Sequence, residues 1–323
     1  MAGILRLGLI GAGRWGRIYI KTVGDTPGVR LHRLASTNPD SRALVPDDCT
    51  ISEDWRAVAT AGDLDGVIIA TPPALHGEMA GAAIKAGIPV LIEKPLTTDA
   101  AQARAVLALA RKNAAIVLVD HIHLYHPAYG ELKRQGLGLG KIHGIRGAGG
   151  DWGPFRSDVS VLWDRAGHDV ALCLDLMGET PESLSASLKE RRETLDGPGE
   201  TLAITLNFPG GVTADIAAGN LMERKKRFLA VHYDHETLIY DDESATPLVR
   251  EPRPAGTCDQ APGEIIDVAN KPPLDGVLDA FAAAIRCGEP DIAGLELGVR
   301  VVEVLAVCEV SLRQGGKTLR FHP

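Results

Sequence analysis

The feature that most constrains this chain is a glycine-rich turn set between a short apolar run and a helical one. Leu5-Arg-Leu-Gly-Leu-Ile10 reads as a strand, Gly11-Ala12-Gly13-Arg14-Trp15-Gly16 follows at once, and residues 14–24 continue with helical periodicity. In that strand–turn–helix context a glycine triplet is a dinucleotide-binding fingerprint. Gly11 permits the tight turn, Gly13 lets the backbone approach a pyrophosphate, and Gly16 lets the helix pack closely on the strand. The first amides of the helix then face the phosphates. Gly11, Gly13, Arg14, Trp15 and Gly16 are therefore candidate cofactor contacts. A glycine turn that binds nothing is the alternative, and the flanking strand and helix count against it.

The same grammar runs on to about residue 121. Apolar runs at 29–35, near Thr50, at 66–70, 90–92 and 116–119 alternate with helical patterns at 54–61, 74–86 and 99–112. Runs such as Val67-Ile-Ile-Ala70 are apolar throughout, as expected of strands covered by helices on both faces. Beyond residue 120 the period changes. Residues 202–208 and 212–216 alternate polar and apolar around Pro209-Gly-Gly211, which predicts an antiparallel hairpin. Helical patterns return at 274–286 and 295–312, and residues 241–273, rich in Pro, Asp and Glu, read as loops. The expected fold class is α/β. An N-terminal Rossmann domain, a doubly wound parallel sheet over 1–121, binds dinucleotide. A C-terminal α+β domain over 122–323, containing a largely antiparallel open sheet, serves substrate binding and oligomerisation.

Forty-two acidic residues against 34 basic ones give a net charge of −8. No global positive field gathers nucleic acid or anionic lipid, so a small-molecule partner is expected, with no nucleic acid and no membrane. The five cysteines form neither a CxxC pair nor a regular framework and read as buried reduced thiols. The first strand follows the start of the chain too closely for a secretory leader, and no run reaches the roughly 18 uncharged apolar residues of a membrane span. A cytoplasmic location is expected.

A dinucleotide fold of this kind places an acidic residue about 20 positions after the glycines to take the ribose hydroxyls of NAD. Here the chain reads Ala35-Ser36-Thr37-Asn38-Pro39-Asp40. Without a carboxylate there is no repulsion against a 2′-phosphate; Ser36 and Thr37 can donate to it, and Arg42 or Arg14 can pair with it. The chemistry favours NADP over NAD.

Three further segments carry chemistry: Thr71-Pro72 with His76, Glu93-Lys94-Pro95, and Leu162-Trp-Asp164-Arg-Ala-Gly-His168-Asp169. With the glycine loop, their order and spacing resemble the Gfo/Idh/MocA family (glucose-fructose oxidoreductase, inositol dehydrogenase, MocA). The motifs span residues 5–178. The resemblance implies an NAD(P)-dependent oxidoreductase in which Lys94, Asp164 and His168 act beside the nicotinamide, and in which Thr71, Pro72, His76 and Glu93 help to hold the cofactor. The residue types suit that chemistry on their own account. Oxidising a secondary alcohol takes a hydride from carbon and a proton from oxygen, and a histidine with an ordinary pKa near ~6.5 fits the second task. Asp164 and His168, four apart on a helix, share one face, so the carboxylate can orient the imidazole. Lys94 would hold the oxygen and stabilise alkoxide charge. Asp164 as a helix cap, His168 as a core histidine and Lys94 as a strand-end charge are the bland alternatives.

The run His121-Ile-His123-Leu-Tyr125-His126 has a spacing that metals use when it lies on a strand. No cysteine or carboxylate set accompanies it, and no metal is expected; His123 and Tyr125 are assigned to substrate lining. Against the family's pattern, Asp120 stands where a small residue is commoner and no arginine occupies this stretch. Arg156, Ser157 and Asp158 could contact substrate hydroxyls or phosphate, or form a solvated loop. Glu223-Arg-Lys-Lys-Arg227 reads as a solvated strand entrance, with a phosphate grip as the alternative. The expected substrate is a sugar, polyol or sugar derivative, interconverted between secondary alcohol and ketone, by a homodimer or homotetramer built on the open sheet. Two rivals are an enzyme that retains its cofactor for sugar-to-sugar exchange, hydrolysis or elimination, and a non-catalytic dinucleotide sensor.

Overall fold

The computed structural model describes residues 3–156, 159–252 and 263–322. The chain forms two compact units, Met1–Ile122 with Pro272–Val302, and His123–Lys271 with Glu303–Pro323.

In the first unit β1 (Leu5–Ile10), α1 (Arg14–Asp25), β2 (Val29–Ala35), β3 (Thr50–Ser52), α2 (Arg56–Ala59), β4 (Gly66–Ile69), α3 (His76–Lys85), β5 (Val90–Glu93), α4 (Ala100–Lys112) and β6 (Val117–Asp120) follow in turn. The strands make one parallel sheet in the order β3-β2-β1-β4-β5-β6. Strand order reverses between β1 and β4, the switch point at which such sheets bind ligands. Every residue of β4, β5 and β6 is buried, as their apolar runs require, and so are the acids Glu93 and Asp120 that end β5 and β6. Helical patterns at 54–61 and 74–86 overstate the helices. α2 is one turn, and a 3-10 turn over Pro73–Leu75 precedes α3, where consecutive prolines remove amide donors.

The second unit begins with a 3-10 turn, Ile122–Tyr125, and continues through α5 (Pro127–Gly136), β7 (Gly144–Trp152), a π turn over Leu162–Ala166 running into α6 (Gly167–Met177), β8 (Ser183–Thr194), β9 (Gly197–Asn207), β10 (Thr213–Gly219), β11 (Leu221–His232), β12 (Glu236–Asp241), β13 (Leu248–Pro252) and β14 (Glu264–Ile265). The chain closes with α7 (Pro273–Cys287), α8 (Ala293–Arg313) and β15 (Leu319–Arg320). Nine strands form one sheet in the order β14-β13-β12-β11-β7-β10-β9-β8-β15. Only the β7–β10 pairing is parallel, so the sheet is largely antiparallel, as expected. The hairpin around Pro209–Gly211 joins β9 to β10, with Gly210 and Gly211 at φ of 76° and 81°. Residues 241–273 are not all loop, because they contain β13 and β14. Those short strands are held by polar cross-strand pairing, Arg250 to Glu236 at 2.7 Å, which leaves no apolar period to read.

A single split after residue 121 is too simple, since Pro272–Val302 returns to the first unit. Phe281 and Ile285 of α7 press on Gly66 so closely that a Cβ there would lie 2.8 Å from the Ile285 side chain. Arg286 donates to the Gly28 carbonyl at 3.0 Å, and Gly298 of α8 packs against Val119. Of the cysteines, Cys49, Cys173 and Cys308 are buried, Cys287 is exposed, and Cys258 lies outside the described residues. Among the described residues no helix is long and apolar enough to cross a membrane.

The basic run is not uniformly solvated. Residues 223–226 are exposed, but Arg227 is buried and donates to the fully buried Asp169 at 2.8 Å. Gly149 on β7 makes room for that pair, since a Cβ would come within 2.3 Å of the carboxylate and 2.4 Å of the guanidinium. Burial raises the Asp169 pKa, and Arg227 opposes the rise. Arg227→Met strands that carboxylate, and the expected loss is about 3–5 kcal/mol in urea unfolding at neutral pH. An acid whose folded pKa is raised destabilises above its unfolded value near ~4, so the loss shrinks as the pH falls towards that range. Asp169→Leu combined with Arg227→Met recovers most of it.

Candidate active site

The carboxyl ends of β1, β2 and β4 open onto a cavity of about 660 Å³. Of the expected cofactor contacts, Gly11, Gly13, Arg14, Ser36, Thr37 and Thr71 line it. Its walls fit a dinucleotide. Gly11 has φ of +100°, and a Cβ there would lie 2.6 Å from the Ala70 carbonyl oxygen. A Cβ on Gly16 would lie 2.0 Å from the Gly11 oxygen, whereas the space beside Gly13 is open. Gly13 caps α1 without any side chain on the first amides, leaving the helix start available to a phosphate. Trp15 is half-buried behind these residues.

Arg42 is not among the lining residues. It donates to the carbonyls of Val45, Pro46 and Cys49 and so clasps its own loop. Ser36 shares a hydrogen bond with Ser41 at 2.7 Å and accepts from the Asn38 amide, which fixes its hydroxyl in the turn. Arg17, Glu53 and Trp55 also line the cavity, although the sequence reading did not single them out. Arg17 could have been found, since it sits three residues after Arg14 on the same helix face. Glu53 and Trp55 follow a strand of three residues, too short to show a period.

Thr71 and Pro72 leave β4, and Glu93 ends β5 with Lys94 next in the chain. His76 is buried, with Nε2 2.8 Å from the Thr71 oxygen and Nδ1 2.9 Å from the Pro95 oxygen. It ties the two segments together and holds backbone, where the resemblance implies a cofactor contact. Burial lowers its pKa against the pull of those carbonyls. The Lys94–Pro95 bond is cis, and Lys94 is half-buried and engaged by its surroundings. Glu93 turns inward, away from solvent, towards Asp120 and Tyr19.

In the second unit Asp164 lies in the π turn that opens α6 and His168 in the first turn of α6. The expected simple helix is thus widened at its start, a distortion common at functional sites. Asp164 lies 3.2 Å from Arg165 and 3.7 Å from Arg156. His168 meets His123 edge to face, ring centroids 5.0 Å apart. His123 shares a hydrogen bond with the Tyr240 hydroxyl at 3.2 Å. Burial first, then the Arg227 charge, pushes the His123 pKa well down, so the ring beside His168 is neutral. His126 pairs with Asp242 at 3.0 Å and holds that carboxyl low. Tyr125 is half-buried in the 3-10 turn, and Asp158 lies outside the described residues. His121 and His123 do not share a strand face: β6 ends at Asp120 and the chain turns at Ile122. Among the described residues no group of three or more His, Cys, Asp or Glu side chains is arranged to hold a metal.

A switch-point cavity walled by a glycine loop and an uncapped helix start defines a dinucleotide-binding domain. Known proteins agree. Residues 5–121 match the Gfo/Idh/MocA profile, described as an oxidoreductase family with an NAD-binding Rossmann fold. UDP-N-acetylglucosamine 3-dehydrogenase of Acidithiobacillus ferrooxidans is 27% identical over 96% of this chain and 99% of its own length. Inositol 2-dehydrogenase 4 of Saccharopolyspora erythraea is 28% identical over 92% and 95%. A crystal structure from Magnetospirillum magnetotacticum MS-1, described as that of an oxidoreductase, superposes with a TM-score of 0.87 at 44% identity, covering 94% of this chain and 99% of that one. The chain belongs to the Gfo/Idh/MocA family of oxidoreductases.

His76→Ala removes the ring that fills the space between the Thr71 and Pro95 carbonyls and takes the donor from one of them. The expected result is a lower melting temperature and about a tenfold weaker dinucleotide Kd by calorimetry, equivalent to ~1.4 kcal/mol. His76→Gln, which keeps one donor, is expected to lose less.

Proposed function

We propose that this chain interconverts a secondary alcohol and its ketone on a sugar, polyol or sugar derivative, with NAD(P) as hydride carrier. The observation that carries the reading is the cavity at the switch point, with its glycine walls and bare helix start. The first unit is read as the dinucleotide-binding domain and the second as the substrate-binding and assembly domain. The two relatives named above act, by their names, on a sugar nucleotide and on inositol, both rich in ring hydroxyls.

When bound, the nicotinamide takes or returns the hydride. Lys94 holds the substrate oxygen and stabilises its charge as the proton leaves. His168 takes that proton, beside a His123 kept neutral by burial. Asp164, set between two arginines, orients this end of α6. Arg156, Tyr125, His123 and Asp158 are assigned to substrate hydroxyls. NADP remains the favoured cofactor: Ser36 and Thr37 follow β2 into the cavity wall, and Arg14 and Arg17 supply cations there, against the single carboxylate of Glu53 among the lining residues. A cytoplasmic homodimer or homotetramer, built on the open face of the nine-stranded sheet, completes the reading, and a monomer by light scattering would remove that part.

Lys94→Ala and His168→Asn are each expected to leave the NADPH Kd within about twofold and to lower kcat by roughly 10²–10⁴. Turnover is followed as reduced-nicotinamide absorbance while polyols, sugars and sugar nucleotides are offered; unchanged turnover in both variants would remove the mechanism. Arg14→Ala with Arg17→Ala is expected to weaken NADPH about tenfold and NADH little, and Glu53→Gln to tighten NADPH. Equal Kd values for NADPH and NADH in the unaltered protein would reject the NADP preference.

A further inference from the structure

Three ionisable side chains that the proposed reaction does not use are shut away from water beside Lys94. Glu93 ends β5, Asp120 ends β6, and the two are register neighbours on adjacent parallel strands. Glu93 is 5% exposed, Asp120 2% and Tyr19 0%. The Tyr19 hydroxyl, from α1, donates to Asp120 Oδ2, and Glu93 Oε2 accepts the Lys94 amide at 3.1 Å. Each group bears on the other: the Asp120 charge raises Glu93, and Glu93 favours ionised Asp120. The two remaining oxygens, Glu93 Oε1 and Asp120 Oδ1, are both buried with no donor.

Two ionised carboxylates are acceptors only, so neither can satisfy the other. One proton between them turns one group into a donor for the other, the one arrangement in which two neighbouring acids satisfy each other. Charge argues the same way, because adjacent buried carboxylates cannot both ionise cheaply. The titratable groups facing the pair are Tyr19 from α1 and Lys94 from the end of β5. Burial raises both carboxyl groups, the Asp120 charge raises Glu93 further, and Lys94 pulls both down. Burial and the Asp120 charge keep Tyr19 protonated.

We propose that Glu93 and Asp120 hold one proton between them, fixed by the Tyr19 hydroxyl, and that the single negative charge left on the pair keeps Lys94 an ammonium at the end of β5. Asp120 and Glu93 are then positioning residues that act through Lys94, and their effect on turnover rests on the role given to Lys94 above. The pair keeps a constant charge behind the amine: it bears one negative charge across the neutral range and gains a second only when its proton leaves at high pH.

An infrared titration of the full-length protein without nucleotide tests the shared proton. A protonated-carboxyl C=O band is expected at pH 7 in the unaltered protein and is expected to vanish in Asp120→Asn and in Glu93→Gln, where the remaining acid ionises against Lys94. No such band in the unaltered protein, or one that survives both substitutions, overturns the proposal. In Tyr19→Phe both acids remain but ionised Asp120 loses its donor, so the band should persist to higher pH; an unmoved midpoint overturns the part given to Tyr19. The charge on Lys94 is read from the alkaline limb of kcat/KM. Asp120→Asn with Glu93→Gln removes the negative charge and should move that limb down by about one pH unit, a tenfold loss on the alkaline side. An unmoved limb overturns the coupling to Lys94. If Lys94→Ala turns over normally, the role of Lys94 in the reaction fails, while the infrared result still decides the shared proton.

Discussion

Helix α1 lies so close to the first strand that no side chain fits between them at Gly16, and much of the first unit's chemistry depends on that contact. Glycine at 16 is a steric necessity, because the Gly11 carbonyl occupies the place of its Cβ. Pinned there, the helix presents two faces with different tasks. Gly16, Tyr19 and Val23 recur at helical spacing on the buried side, while Arg14 and Arg17 are exposed and line the cavity. The same turn of helix that offers amides to a pyrophosphate thus sends the Tyr19 hydroxyl inward to Asp120 at the end of β6. Cradle and plug are the two sides of one amphipathic helix.

The second unit solves a related problem with charges. Asp169 adjoins His168 in the first turn of α6, and its buried carboxylate is bound by Arg227 from β11. Such a pair adds little net stability over apolar residues of the same volume. Its geometry is directional, however, and it specifies how α6 meets β7 and β11, which an apolar contact would leave looser. His123, Tyr240, Asp242 and His126 extend the polar set, with His126 Nε2 3.0 Å from an Asp242 carboxyl that it helps to hold low. The histidine proposed to move protons therefore stands beside a ring that burial keeps neutral.

How much of this could be read in the sequence divides by the range of the interaction. The glycine loop, the buried parallel strands and the Pro209–Gly211 hairpin are set by local backbone needs, and they lie where the residues predict. β13 and β14 were hidden because Arg250 pairs with Glu236 across strands, a contact without apolar rhythm. Arg42 carries the right charge beside the ribose end, yet its reach is spent on carbonyls only three to seven residues away, a fate that side-chain chemistry alone does not reveal. Arg227 sat inside a run of exposed basic residues and looked like them. Only the partner on α6 distinguishes it, 58 residues away. His76 matches the motif by position, and its ring lies buried between the Thr71 and Pro95 carbonyls, a placement that the spacing of the sequence does not reveal.

Asp120 is the sharpest case, because its carboxyl is 2% exposed at the end of a buried strand. A carboxylate buried alone costs several kcal/mol even after relaxation. Keeping a carboxyl protonated at pH 7, about three units above its ordinary pKa, costs roughly 4 kcal/mol at 1.36 kcal/mol per unit. The two costs are of similar size, so a lone acid at this position would gain nothing by choosing either. Glu93 and Tyr19 change the balance: one supplies an acceptor for the proton, the other a donor to the oxygen left over. With both present, protonating one member makes it a donor for the other and leaves only one charge, which Lys94 faces. An acid at 120 is therefore tolerable in company with Tyr19 and Glu93 and costly without them, so the three belong together, although 101 residues separate the tyrosine from the aspartate.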